Sequence, residues 1–143
     1  MLKSCNNCAK KLANRFQQKY CSNKCQIDAQ YREYIDSWKK GLATGDRGIE
    51  TKNFSGHLKR FLFEKYDSKC SVCNWSKKHP DTQKVPLEID HIDGNSENNA
   101  EKNLRLLCPN CHSLTPSFKN LNKGRGRIWR KEKYLKNKLV DKK

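Results

Sequence analysis

The side chains best suited to chemistry are concentrated in one segment, residues 87–115. Asp90 and His91 are adjacent in this segment, and His112 lies near its end. A carboxylate and an imidazole can hold one divalent cation and leave positions open for water and phosphate oxygens. Because neighbouring side chains on a strand point to opposite faces, Asp90 and His91 are expected to have different tasks. One can bind metal while the other accepts a proton.

A β-hairpin followed by a short helix is predicted to position these groups. The apolar segments LEIDHI and LRLLC flank the loop DGNSENNAEKN, which is rich in turn-forming residues, and the second apolar segment leads into CPNCH. Short apolar segments on either side of such a loop are typical of paired strands. The metal-binding and proton-accepting groups would therefore lie at the two ends of one compact motif.

Two longer helices are predicted elsewhere in the chain. The first begins near Cys25 and ends at Gly41, and the second runs from an N-cap at Ser55 to about Tyr66. Apolar residues recur at spacings of three and four in both helices, which predicts one buried face for each. In the first helix that face comprises Ile27, Tyr31, Tyr34, Ile35 and Trp38.

The cysteines form four close pairs. They are Cys5 and Cys8, Cys21 and Cys25, Cys70 and Cys73, and Cys108 and Cys111. Four disulfides in an oxidising compartment are the alternative, but such close pairs favour two structural zinc ions. One zinc is predicted on the first two pairs and the other on the last two. Neither would be catalytic, because four thiolates leave no open position on the ion.

The central motif resembles the HNH endonuclease family over residues 55–123. The resemblance rests on Asp90, His91, Asn103 and His112, with Cys108-Pro109-Asn110-Cys111 just ahead of the last histidine. It implies a ββα-metal core in which His91 is the general base and Asp90 and His112 bind the catalytic metal. Asn103 is implied as the brace of the loop that carries His91. Mg²⁺ or Mn²⁺ is the expected catalytic ion.

The predicted fold class is a small, zinc-stabilised α+β protein with four segments. An N-terminal zinc-ribbon or treble-clef-like unit with its helix is expected at residues 1–40, followed by a linker at 41–54. The ββα-metal nuclease domain is expected at 55–123, and a basic C-terminal extension at 124–143. Zinc would supply folding free energy that the thin apolar core of so short a chain lacks.

The charge of the chain predicts a polyanionic partner. The formal net charge is +16 over 143 residues, and double-stranded DNA is the expected partner. The predicted DNA-binding residues are Lys119, Lys123, Arg125, Arg127 and Arg130. No apolar segment is long enough to span a membrane and the first residues do not resemble a signal peptide, so we expect a soluble intracellular protein with no membrane partner.

The primary hypothesis is a metal-dependent DNA endonuclease, whose products the resemblance implies to carry 5′-phosphate and 3′-hydroxyl ends. The alternative is a non-catalytic zinc protein that binds nucleic acid, which the charge and the cysteines fit equally well. The joint presence of Asp90, His91, Asn103 and His112 favours the nuclease, because a protein that only binds has no need of that set. Homing, restriction and packaging roles, nicking or double-strand cutting, and action on RNA stay open.

Overall fold

Among the residues that the computed structural model describes, the named elements are three α-helices, a two-stranded sheet and two short 3-10 helices. The structure describes residues 3–48, 53–122 and Glu132. The elements in chain order are α1 Asn23–Lys39, α2 Gly56–Lys65, β1 Glu88–His91, the 3-10 helix Glu101–Asn103, β2 Leu104–Leu107, α3 Pro109–Ser113 and the 3-10 helix Lys119–Asn122. The prediction of a small α+β protein is confirmed. Within the described ranges, no helix is long and apolar enough to cross a bilayer.

The chain divides into two compact units, Met1–Thr44 and Gly45–Lys143. We call them the N-terminal unit and the C-terminal unit. The helix α1 belongs to the first, and all other elements belong to the second. Of the predicted DNA-binding residues, Lys123, Arg125, Arg127 and Arg130 lie outside the described residues, as does the predicted extension 124–143 apart from Glu132.

The helix α1 of the N-terminal unit has the predicted ends. Its N-cap is Ser22, whose hydroxyl accepts a hydrogen bond from the Cys25 backbone NH. Gly41 follows the C-terminus in the left-handed region at φ +76°, where glycine carries no steric penalty. Tyr31, Ile35 and Trp38 are buried as predicted. The prediction for Ile27 is wrong, because its side chain is 54% exposed. The apolar face of α1 is therefore buried only from the second turn of the helix onwards.

In the C-terminal unit, α2 packs against β2 to form the core. The predicted cap is confirmed, since the Ser55 hydroxyl accepts from the Leu58 backbone NH at 3.0 Å. The fully buried aliphatic side chains come from these two elements: Leu58, Leu62, Leu104, Leu106 and Leu107. The leucines of LRLLC therefore fill the core, and the hairpin is fixed to α2 by apolar burial.

Both edges of β2 are hydrogen-bonded. One edge pairs antiparallel with β1, in a register that sets Asp90 opposite Arg105 and His91 opposite Leu104. At the other edge, the backbone NH and hydroxyl of Ser71 both donate to the Leu106 carbonyl at 2.8 Å. Because β2 is held on both sides, the two-stranded sheet is stable where a free hairpin would be marginal.

Candidate metal centres and active site

The cysteines of the N-terminal unit form one cluster. The Sγ atoms of Cys5, Cys8, Cys21 and Cys25 all lie within 4.8 Å of one another, with 3.6 Å between Cys8 and Cys21 and 3.4 Å between Cys21 and Cys25. A turn in which the Ala9 NH donates to the Cys5 carbonyl brings the first pair together, and the second pair brackets the start of α1. Four sulfurs on one zinc at about 2.3 Å are separated by about 3.8 Å, so this cluster can hold zinc.

A second cluster lies where β2 meets α3. The Sγ atoms of Cys70, Cys73, Cys108 and Cys111 lie within 4.8 Å of one another, and Cys73 and Cys108 are 3.8 Å apart. Cys108 is also the N-cap of α3, since its sulfur accepts from the Cys111 backbone NH. Zinc bound here would fix the start of the helix that carries His112.

None of the eight cysteines is paired in a disulfide, and each cluster contains at least one sulfur with a lowered pKa and at least one with a raised pKa. Burial opposes the charged form of Cys5, but NH groups of Asn7, Cys21 and Cys8 outweigh it and lower its pKa to about 6. Hydrogen bonds with the sulfurs of Cys25 and Cys8 raise the pKa of Cys21 to about 12. Adjacent thiolates repel, so a cation is required for all four to ionise together; zinc binding would release the remaining protons.

Asp90 and His112 lie close together on one face of the hairpin. Asp90 is 5% exposed; its Oδ2 accepts from Arg105 Nε at 2.8 Å, and its Oδ1 lies 3.8 Å from His112 Nε2. Two ligands of one ion with bonds of about 2.1 Å are separated by about 3.0 to 4.2 Å, depending on the angle between them. These two atoms therefore fit a shared divalent cation, and both are donor types that such ions accept.

Glu88 orients His112 from the same face of β1. Its Oε2 lies 2.8 Å from His112 Nδ1, so Nδ1 donates to the carboxylate and Nε2 points toward Asp90. A carboxylate on the outer nitrogen is the usual partner of a metal-binding histidine. Sequence reasoning did not single out Glu88, although it lies two residues before Asp90 and so shares its side of the strand.

His91 faces the opposite side of β1, as the alternation predicts. Its Nε2 lies 2.9 Å from Asn99 Oδ1, and its ring stacks on Phe54 with centroids 5.2 Å apart. The imidazole is half-buried, so one side remains open to solvent. Neither Asn99 nor Phe54 was identified from the sequence.

Asn103 holds the loop between the strands. Its Nδ2 donates to Asp93 Oδ1 and to the Asn98 carbonyl, both at 2.8 Å, and its Oδ1 accepts from the Asp93 NH at 3.0 Å. Its backbone carbonyl accepts from the Ile92 NH. Asn103 is 7% exposed. One amide thus ties both ends of the loop next to His91.

We expect Asn103→Ala to lower the free energy of unfolding of the C-terminal unit by about 2–4 kcal/mol at neutral pH, because it removes three hydrogen bonds. Amide hydrogen exchange of β1 and β2 measures this loss. Asn110→Ala, at an exposed position of α3, is the matched control and should change the free energy by no more than about 0.5 kcal/mol. Equal protection in the two variants would contradict the bracing interpretation.

The same network gives the loop a pH dependence. Partial burial opposes ionisation of Asp93, but hydrogen bonds from Asn98, the Asn95 NH and Asn103 outweigh it and lower the pKa of the carboxyl. A lowered folded-state pKa stabilises the fold above the ordinary aspartate pKa of about 3.9, and that contribution is lost as the pH falls through the folded-state value. The loss in free energy of unfolding caused by Asn103→Ala should therefore be smaller at acid pH than at neutral pH.

Lys119 is the one predicted DNA-binding residue within the described part of the chain. Its Nζ lies 4.8 Å from the centre of the Phe118 ring, and Phe118 meets the His112 ring edge-on at 5.4 Å. Lys119 is exposed. The Phe118 ring therefore contacts both the Lys119 ammonium group and the His112 ring, which lies on the same face as Asp90.

The comparisons with known proteins agree with this geometry. A family model described as HNH endonuclease matches residues 70–115. The H-N-H endonuclease F-TflIV of Escherichia phage T5 is 35% identical over 100 residues, covering 70% of this chain and 40% of that protein. The chain thus spans less than half the length of this curated relative. No solved structure matches the chain significantly. The matched residues include the second cysteine cluster, both strands and α3, and they place residues 70–115 of the chain in the HNH endonuclease family.

Proposed function

We propose that the chain is a metal-dependent endonuclease that hydrolyses phosphodiester bonds of double-stranded DNA and leaves 5′-phosphate and 3′-hydroxyl ends. The observation that carries the proposal is the pair of atoms Asp90 Oδ1 and His112 Nε2, 3.8 Å apart, with the His91 imidazole on the opposite face of the same strand. Family membership and the H-N-H endonuclease of phage T5 support a nuclease.

Asp90 and His112 would hold the catalytic cation, and Mg²⁺ or Mn²⁺ fits a site with one carboxylate and one imidazole. When bound, such an ion stabilises the negative charge that develops on the phosphate. Arg105 holds Asp90 Oδ2, which leaves Oδ1 directed at His112. Glu88 holds His112 Nδ1, which leaves Nε2 as the ligand nitrogen. Two neighbouring residues therefore set the orientation of both ligands before any ion binds.

His91 would take the proton from the attacking water. A neutral imidazole is a suitable base near pH 7. The stacking contact with Phe54 limits rotation of the ring, and Asn103 fixes the loop that follows His91. These contacts restrict the position and orientation of the imidazole, and general-base catalysis requires such a fixed geometry.

A basic groove beside α2 supports DNA as the substrate. The groove has a volume of about 660 Å³ and is lined by Lys59, Arg60, Lys78 and Lys84, with Phe63 and Pro86 among its apolar walls. No acidic residue is among the lining residues that the structure describes. With the net charge of +16, this lining attracts a phosphate backbone. Lys119 adds a further cation over the Phe118 ring, which in turn contacts the His112 ring.

A plasmid cleavage assay tests the proposal. We expect the wild type to convert supercoiled plasmid to nicked or linear DNA with Mg²⁺ or Mn²⁺ and to lose this activity in EDTA. Asp90→Asn should lower the rate at least about 100-fold by weakening cation binding, while two zinc ions remain bound. Asp81→Asn changes an exposed aspartate and should leave the rate unchanged.

Three outcomes would contradict the proposal. They are cleavage that persists in EDTA, full activity of Asp90→Asn, and absence of cleavage of any DNA with either metal. DNA binding without cleavage would favour the alternative of a non-catalytic zinc protein. Loss of a zinc ion from His112→Ala would show that His112 serves a cysteine cluster rather than the catalytic cation.

A further inference from the structure

Two successive hydrogen bonds link His91, through Asn99, to the carboxylate of Asp46. His91 Nε2 lies 2.9 Å from Asn99 Oδ1, and Asn99 Nδ2 donates to Asp46 Oδ1 at 3.1 Å. Asn99 is 7% exposed, so water competes little for its amide. The three side chains come from β1, from the loop after it and from a segment before α2.

The direction of these bonds follows from the chemistry of the groups. An ionised carboxylate only accepts hydrogen bonds, so Asp46 draws the amide NH₂ of Asn99 to itself and turns the amide oxygen toward His91. That oxygen also only accepts. The hydrogen between Asn99 and His91 must therefore be on Nε2. Nδ1 of the neutral ring is left with the free lone pair.

The backbone around Asp46 is shaped for this contact. Gly45 has φ +84°, and a Cβ built there would lie 2.9 Å from the Leu58 side chain and 3.1 Å from Asn99 Cβ. Asp46 forms an isolated β-bridge with Phe54, and Phe54 stacks on His91. One short segment thus supplies both the carboxylate that orients Asn99 and the ring that holds the imidazole plane.

We propose that Asp46 and Asn99 are positioning residues that hold His91 as the Nε2–H tautomer and make Nδ1 the nitrogen that accepts the proton. The role of His91 in cleavage rests on the proposed function, whereas the tautomer does not. In the reaction the water oxygen bonds to phosphorus and its proton passes to Nδ1. The bond from phosphorus to the 3′ oxygen breaks, and that oxygen takes a proton from solvent. The Asn99 oxygen, polarised by Asp46, then stabilises the charged imidazole.

Nitrogen NMR of the 143-residue chain, loaded with zinc, reads the tautomer directly. With histidine labelled with ¹⁵N and its rings neutral, and with the His91 signals assigned through His91→Gln, we expect a protonated Nε2 and an unprotonated Nδ1. Asn99→Ala should give averaged signals from both tautomers. Asp46→Asn should do the same in part, because the Asn99 amide can then adopt either orientation.

A double substitution separates positioning from folding. The variant Asp46→Asn/Asn99→Asp exchanges the two side-chain types. A carboxylate then lies next to His91 at position 99 and an amide lies at position 46, so an acceptor for Nε2–H is kept. We expect this variant to restore the single tautomer. In plasmid cleavage, Asn99→Ala should lower kcat by about 10- to 100-fold with KM unchanged, and the double variant should recover most of the rate. Asn95→Ala, in the same loop, is the matched control and should alter neither readout.

The proposal is overturned if wild-type His91 carries its proton on Nδ1, or if Asn99→Ala leaves the tautomer unchanged. It is also overturned if the double variant keeps the single tautomer but shows the same kcat as Asn99→Ala. A protein with the expected tautomer that cuts no DNA would contradict the proposed function alone. Cleavage that depends on His91 in a protein with the other tautomer would contradict this inference alone.

Discussion

His91→Ala should lower the rate of plasmid cleavage by about 10²–10⁴-fold, the range expected when a general acid or base is lost. The imidazole stacks on Phe54 and is hydrogen-bonded to Asn99, and an alanine at this position has no group that can accept a proton. Single-turnover cleavage at saturating Mg²⁺ isolates this effect from DNA binding. The loss should appear in the rate of the chemical step, with DNA affinity changed less than about threefold.

The control for this experiment is His79→Ala. His79 is a half-exposed histidine whose Nδ1 accepts from the backbone NH groups of Asp81 and Thr82, and its backbone hydrogen bonds within the described residues are to Gln83 and Lys84. Its replacement should leave cleavage within about twofold of the wild type. Both variants should bind two zinc ions. Equal cleavage by His91→Ala and His79→Ala would remove His91 from the mechanism.

Cys108→Ser should release one zinc ion and unfold the hairpin of the C-terminal unit. A structural zinc contributes about 10–16 kcal/mol in small zinc domains, which is comparable to the entire stability of a typical domain, about 5–15 kcal/mol. Cys108 directly follows β2, caps α3 and joins the second cluster, so its loss affects all three. Zinc content by mass spectrometry and amide exchange of β1 and β2 measure the two effects, and cleavage should be abolished with them.

Cys8→Ser makes the same chemical change in the first cluster. It should also release one zinc, but amide protection in β1 and β2 should be kept, because each unit has its own cluster. If Cys108→Ser retained two zinc ions and a protected hairpin, the second cluster would not support the active site. If Cys8→Ser exposed the hairpin amides, the two clusters would not act separately.

Local signals in the sequence predicted the two cysteine clusters and the ends of most elements. The spacing of each cysteine pair places two sulfurs on one turn, so four pairs predict two sites without knowledge of the fold. Ser55 caps α2 and Gly41 follows α1 because caps depend on hydrogen bonds and dihedral angles within a few residues. The apolar segments around the loop predicted the hairpin, since alternation is set by strand geometry. The family resemblance supplied Asp90, His91, Asn103 and His112.

Only the tertiary structure decided which side chains contact the four family residues Asp90, His91, Asn103 and His112. Asp46 and Phe54 lie in a segment with no periodicity, predicted as a linker, yet they reach Asn99 and His91 because Gly45 adopts a left-handed conformation and allows close approach. The packing around α1 left Ile27 exposed although its spacing is that of a buried residue. The sequence names the groups capable of chemistry. Their hydrogen-bond partners depend on contacts between residues distant in the chain, and such contacts are selected by packing and by the direction of each donor, which no local pattern encodes.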